Sequence, residues 1–317
     1  MIVTLAGGVG AARFLEGLIQ VVPPSTITAI VNTGDDFQLH GLHIAPDLDI
    51  VTCTLAGVID TTRGWGIDGD TTACLEWLGR LGGPTWFRLG DRDLALHIQR
   101  TAWLRTGATL SQVADHFRRA LGVAVRIIPM SDQPVPTHII TTAGEFHFEE
   151  YLVQRQAADE VLGVRFVGSE HAYPAPGVLE TIAAAEVILL APSNPVVSIG
   201  PILALPGVRT ALHATSAPIV AVSPIVAGAP LKGPAAPLMR AMGWDVSAIG
   251  VAYAYRDFLN VLVIDQVDAA LKPAIEALGI GVVVTDTIMR GSVEKAHLAH
   301  VVLTAARAIG RESVSPV

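Results

Sequence analysis

Residues 1–22, MIVTLAGGVGAARFLEGLIQVV, and residues 25–36, STITAIVNTGDD, decide the fold of this chain. Met1–Ala6 is an apolar run that stops at Gly7-Gly8-Val9-Gly10. Ala11–Val22 then repeats Phe14, Leu15, Leu18 and Ile19 at helical spacing. Thr26–Val31 is a second apolar run, ending at Asn32-Thr33-Gly34-Asp35-Asp36. Strand, glycine turn, helix and strand in that order open a parallel α/β sheet.

The same pattern returns after about residue 160. Val187–Ala191, Ile219–Val222, Val261–Ile264 and Gly281–Val284 are short continuous apolar runs, as expected of strands covered on both faces. Between the two halves, residues 46–130 read as a mainly helical insertion, with stripes Leu48–Val51–Leu55–Ile59 and Leu94–Ile98–Ala102. Val135–Thr142 and Glu145–Val153 read as a β-hairpin turning near Gly144. A final helix is expected over Ser292–Ile309, followed by a fraying polar tail, Gly310–Val317. With no repeat and no clean linker, the economical organisation is a single α/β domain over 1–317: one doubly wound, mainly parallel sheet carrying the insertion and the hairpin.

Composition agrees with a large buried core. Of 317 residues, 51% are hydrophobic and 16% charged, with mean hydropathy +0.50, which excludes a disordered chain. No apolar run approaches the roughly 18 residues of a membrane helix. The glycines after Ala6 break a would-be signal peptide, so a cytoplasmic protein without a membrane partner is expected. The formal charge of −8 does not suit a nucleic-acid-wrapping protein, yet permits a small phosphorylated ligand held by a few placed cations. Cys53 and Cys74 form no CxxC motif and are read as reduced thiols.

Chemistry is expected in the loops after the strands. Gly7, Gly8, Val9 and Gly10 would let backbone N–H groups approach an anion, or form only a tight turn. The sequence is neither the dinucleotide fingerprint, because Arg13 stands where the last glycine belongs, nor a Walker A loop. Asp35 and Asp36 end the second strand. His43–Asp49 leads into a helix, with Pro46 suited to its first turn and Asp47 and Asp49 complementing its dipole. Two residues apart, Asp47 and Asp49 flank opposite sides of the apolar stripe and are not expected to serve one site alike. Arg88 and Arg92 either clamp a phosphate or pair with Asp91 and Asp93. Pro192-Ser193-Asn194-Pro195 and Lys232-Gly233-Pro234 are rigid polar loops after strands. His297 and His300 have metal-ligand spacing but no third ligand, and an exposed helical face is favoured.

Ten blocks in order together resemble the CofD/FbiA family of 2-phospho-L-lactate transferases. They are LAGGVGAARFLEGL (5–18), NTGDD (32–36), HIAPDLD (43–49), WGID (65–68), WFRLGDRDLALH (86–97), PMSDQPVPT (129–137), FEEYLV (148–153), APSNPVVSIGPIL (191–203), VSPIVAGAPLKGPAAPLM (222–239) and DTIM (286–289). The resemblance implies a Rossmann-like core, a homodimer and Mg²⁺-dependent transfer in coenzyme F-420 biosynthesis. The acceptor would be Fo (7,8-didemethyl-8-hydroxy-5-deazariboflavin), whose ribityl hydroxyl attacks the phosphorus nearer the acid in a guanosine diphosphate-linked three-carbon acid. The acid would be one such as 2-lactate or enolpyruvate, and GMP would leave. By motif match Asp49 and Arg88 fall where the family binds Fo, with Asp49 as base or metal ligand. Gly7–Gly10, Ser193, Asn194 and Lys232 are candidates for the donor's phosphates; Asp36 and Asp47 join Asp49 as candidates for Mg²⁺. The family commonly has Ser where this chain has Ala45. The alternative is a gluconeogenesis-factor-like regulator that binds a nucleotide sugar without catalysis. That family lacks the Pro-Asp-Leu-Asp and Pro-Ser-Asn-Pro blocks.

Overall fold

The computed structural model describes residues 1–312. Its centre is a seven-stranded, all-parallel sheet in the order Gly281–Thr285, Val261–Asp265, Ile219–Val222, Val187–Leu190, Ile2–Ala6, Ile27–Val31, Arg126–Pro129. Side chains alternate across it. Val3, Leu5, Ile188, Leu190, Leu262 and Ile264 enter a core on one face; Ile2, Ala6, Leu189, Val220 and Val263 enter a second core on the other. Burying both faces is what continuous apolar strands require. The helices Gly8–Val21, Pro46–Leu55, Leu110–Ala120 and Ser292–Glu312 cover the second core. The doubly wound α/β class is therefore as the sequence reads.

The strand order reverses between Ile2–Ala6 and Val187–Leu190. From the first strand the chain builds outward to one edge, then returns beside it and builds to the other. At such a switch point the loops diverge and leave a crevice at the carboxyl ends. Gly7–Gly10 and Pro192–Asn194 are brought together there, Ser193 against Gly7 and Pro192 against Gly10.

Helices Pro46–Leu55, Ala73–Arg80, Asp91–Arg105 and Leu110–Ala120 follow the second strand, and Arg126–Pro129 closes that stretch as an edge strand. Three sequence expectations are corrected. The hairpin pairs Thr137–Thr141 with Gly144–His147, but its second strand stops at His147, and Glu150–Gln154 is a π-helical turn. A strand would send Leu152 and Val153 to opposite faces. The coiled turn brings Glu149, Leu152 and Val153 to one cavity wall. On Asp91–Arg105 the buried residues are Leu94, His97, Arg100 and Thr101, whereas Ile98 is 55% exposed and Ala102 is exposed. The apolar period misled there because the inward face is polar by design of its contacts, described below. The last helix runs Ser292–Glu312, past the expected end at Ile309; the rest of the expected tail, 313–317, lies outside the described residues.

Candidate active site

The glycine turn is pinned from below by the helix that follows the second strand. Pro46 sets the first turn of Pro46–Leu55, which aims Asp47 at the turn: the Gly8 N–H donates to Asp47 Oδ1 at 2.8 Å. Asn32 Nδ2 donates to Asp47 Oδ2 at 2.9 Å and to the Val197 carbonyl at 3.2 Å. Ser193 Oγ donates to the Gly7 carbonyl at 2.8 Å, and Asn194 Oδ1 accepts from the Val196 N–H at 2.9 Å. Asp47 thus already supplies both carboxyl oxygens to the turn and Asn32, and Asn194 braces its own loop. Gly8 has φ +71°, a conformation that favours glycine, and a Cβ there would lie 3.8 Å from Asp47 Oδ1. Gly10 is held by proximity: a Cβ there would lie 2.2 Å from the Pro192 carbonyl oxygen. Gly10→Ala is therefore expected to destabilise the protein by about 1–3 kcal/mol, because two backbones must part. Urea unfolding measures it, and an unchanged midpoint contradicts this close packing.

Lys232 reaches the same place from the far half of the chain. Its Nζ donates to the Arg63 carbonyl at 3.3 Å, and a Cβ on Gly64 would stand 3.0 Å from Val9 Cγ1 and 3.7 Å from Lys232 Nζ. Glycine turn, Arg63–Gly64 segment and Lys232 therefore converge.

Asp49 faces another way, as its spacing from Asp47 requires. It lines a cavity of about 500 Å³ walled by Trp65, Trp86, Phe87, Ile50, Leu152 and Val153, with Asp49, Arg88, Asp93, His97 and Glu149 among its ionisable groups. Asp49 Oδ1 is paired with Arg100 Nη2, and its Oδ2 has no hydrogen-bond partner among the described residues. Arg100 is 1% exposed. Its Nη1 donates to the His43 carbonyl at 3.2 Å and to His97 Nδ1 at 3.1 Å, and the guanidinium lies 5.5 Å from the Phe117 ring centroid. Burial lowers the His97 pKa to about 4, leaving the ring neutral. His43 Nε2 meets Asp36 Oδ2 at 2.9 Å, while Asp36 Oδ1 is buried without a partner among the described residues.

Arg88 lines the cavity and is exposed, with no ion pair among the described residues. Neither expected partner holds it. Asp91 accepts from Thr71 Oγ1 at 2.5 Å and from the Ala73 and Cys74 N–H groups; Asp93 accepts from the Gly90 N–H; Arg92 Nη1 donates to the Asp68 carbonyl. His297 and His300 are exposed, and Cys53 and Cys74 are free.

Carboxylates crowd beneath the site. Burial, reinforced by Asp47 and Glu149, raises Asp35 well above the usual range; burial raises Asp47 to about 7, and burial with the Asp47 charge raises Glu149 to about 8. Such groups bind more protons folded than unfolded between the ordinary carboxylate range and about pH 8, so stability falls as pH rises through that window. Thermal melts from about pH 5 to about pH 8.5 are expected to show this decline. Glu149→Gln is expected to gain at least about 1 kcal/mol relative to wild type at the alkaline end. Parallel pH profiles for the two proteins contradict this assignment of Glu149.

The family model described as 2-phospho-L-lactate transferase CofD matches residues 2–299. The chain belongs to that family. The 2-phospho-L-lactate transferase of Methanothermobacter thermautotrophicus is 44% identical over 303 residues, covering 96% of this chain and 97% of that protein. The phosphoenolpyruvate transferase of Streptomyces griseus is 46% identical over 285 residues, covering 88% and 90%. The crystal structure of a UPF0052-family protein from Bacillus halodurans is similar in fold, with TM-score 0.63 at 18% identity, covering 95% of this chain and 98% of that one. As a CofD-family chain the protein is an enzyme, a transferase of coenzyme F-420 biosynthesis, and the regulatory alternative is not favoured.

Sequence reasoning missed Arg100, His97, Asn32 and Glu149 of this CofD-family site. His97 and Glu149 lie inside two of the family blocks, 86–97 and 148–153, and were available as signals. Arg100 lies outside every block; only an arginine two residues beyond Ile98, on a helix of mixed polarity, marks it.

Proposed function

We propose that the aromatic-walled cavity takes the deazaflavin of Fo and that the switch-point crevice takes the diphosphate of a guanosine-linked three-carbon acid. The observation that carries this reading is the shared helix: Pro46–Leu55 sends Asp47 to the glycine turn and Asp49 into the cavity. The two substrates then meet along that helix. Gly7–Gly10 and Ser193 shape the crevice, Lys232 supplies a cation beside it, and Asn194 keeps its loop in place. Arg88 offers an unpaired cation to Fo at the cavity wall. Reaction is phosphoryl-type transfer: the ribityl hydroxyl bonds to the phosphorus nearer the acid, its proton departs, and the bond to GMP breaks. Positioning and charge neutralisation carry most of such catalysis.

The donor set fits Mg²⁺. It is a hard ion that takes one or two carboxylates together with substrate phosphates and waters. Asp36 Oδ1 and Asp49 Oδ2 are buried oxygens without partners among the described residues, and the crowded Asp35, Asp47 and Glu149 gain from a nearby cation. Asp36 and Asp49 are therefore the residues to hold it. Asp47, with both oxygens engaged, serves the turn instead. Bound there, the ion would neutralise charge developing on the transferred group.

The same reading carries a cytoplasmic homodimer acting on small molecules, without nucleic acid or membrane. Among the described residues, no helix is long and apolar enough to cross a membrane. Mass spectrometry of products formed from Fo with lactyl or enolpyruvyl guanosine donors tests the substrates. Guanosine selectivity is expected to be firm, whereas the two acid arms should differ by only about 1–3 kcal/mol in discrimination. Equal turnover of an adenosine analogue counts against the guanosine assignment.

A further inference from the structure

We infer that His97 is a hydrogen-bond donor in the cavity wall, locked into one tautomer by Arg100, and that it recognises an oxygen on the deazaflavin acceptor. The inference rests on the reading of the cavity as the Fo site. A guanidinium has only N–H groups to offer, so the 3.1 Å contact from Arg100 Nη1 requires a lone pair on His97 Nδ1. The ring proton is thereby assigned to Nε2. Asp49 Oδ2, 3.6 Å from the same Nδ1, faces that lone pair and receives no hydrogen bond from it. His97 therefore does not act as the partner that donates to Asp49. The backbone at His97 is tied to the His43 strand by Thr101, whose Oγ1 donates to the His97 carbonyl at 2.6 Å and accepts from the His43 N–H at 2.8 Å.

His97 is 3% exposed, yet it lines the cavity, and among the described residues no side chain or carbonyl accepts from its Nε2. Nε2 is not one of the fully buried atoms left without a partner, so its N–H opens on the cavity, where an acceptor atom entering with the ligand takes the place of solvent. The walls around it, Trp65, Trp86 and Phe87, suit a flat ring system and offer it no oxygen. A ring carbonyl and a ribityl hydroxyl both supply that oxygen chemistry. Arg100 thus performs two tasks with one planar group: it pairs with Asp49 and turns the imidazole into a donor of fixed direction.

The test is equilibrium titration of Fo into the full chain, followed by the absorbance of the deazaflavin, with guanosine donor binding measured in parallel. His97→Leu removes the donor at similar volume and is expected to weaken Fo about tenfold while leaving donor affinity within about twofold. His97→Gln returns an N–H to a similar position and is expected to recover most of the loss. A deazaflavin lacking the polyol chain distinguishes the sources. If it shows the same loss on His97→Leu, the partner is a ring oxygen; if it shows none, the partner is a chain hydroxyl. Unchanged Fo affinity in a folded His97→Leu protein overturns the inference alone, as does equal loss of Fo and donor in both variants, which marks a merely structural residue. Failure of the wild-type chain to bind Fo overturns the cavity assignment and the inference with it.

Discussion

Arg100→Met is expected to lose about 3–5 kcal/mol of stability, one of the two largest effects in the molecule. Methionine fills much of the same volume, so the loss does not come chiefly from a void. It comes from Asp49, whose carboxylate is left in a largely buried position without its counter-charge, and from the His43 carbonyl and His97 Nδ1, which lose their donor together. Breaking one side of a buried pair leaves the full desolvation penalty of the other. Denaturant unfolding should show a lower midpoint at unchanged slope. Adding Asp49→Asn to Arg100→Met should return part of the stability, because both halves of the pair are then gone. A loss below about 1 kcal/mol for Arg100→Met contradicts the ion-pair account.

Asp49→Asn keeps shape and removes charge, and it is expected to lower the rate by about 10²–10⁴. One oxygen of Asp49 is paired with Arg100 and the other is buried without a partner among the described residues, so in the proposed reaction it is the second oxygen that meets metal or proton. If that oxygen ligates Mg²⁺, raised Mg²⁺ should recover part of the lost rate; if it takes the hydroxyl proton, it should not. Arg88→Gln offers the contrast: weaker Fo binding with no recovery at any Mg²⁺ concentration. Near-normal turnover by folded Asp49→Asn protein removes Asp49 from the reaction and directs attention to Asp36.

The opening 36 residues were legible because each element there is locally determined. A continuous apolar strand, three glycines and a helical stripe admit one topology, and the carboxyl-end rule then places the site. Asp47 and Asp49 were separable by spacing alone. What could not be read was long-range and polar. Arg100 is 51 residues from Asp49 in the chain, and nothing local marks an arginine as buried. The stripe Leu94–Ile98–Ala102 failed for the same reason: the helix turns His97 and Arg100 inward to meet Asp49, and hydrophobic periodicity has no term for an ion pair. FEEYLV reads as a strand by composition, yet coiling it is the only way to put Glu149, Leu152 and Val153 on one wall. Gly8 and Gly10 look alike in sequence, but one adopts a positive φ and the other accommodates the Pro192 carbonyl, a distinction made by a loop more than 180 residues away.

The most direct test of transfer at this crevice is GMP release from the guanosine-linked three-carbon acid with Mg²⁺, measured with and without Fo. GMP release is expected to depend on Fo, to match the phosphodiester product one for one, and to fall with Asp49→Asn. GMP released equally without Fo, or no GMP from a folded chain that binds both substrates, would contradict transfer at this crevice.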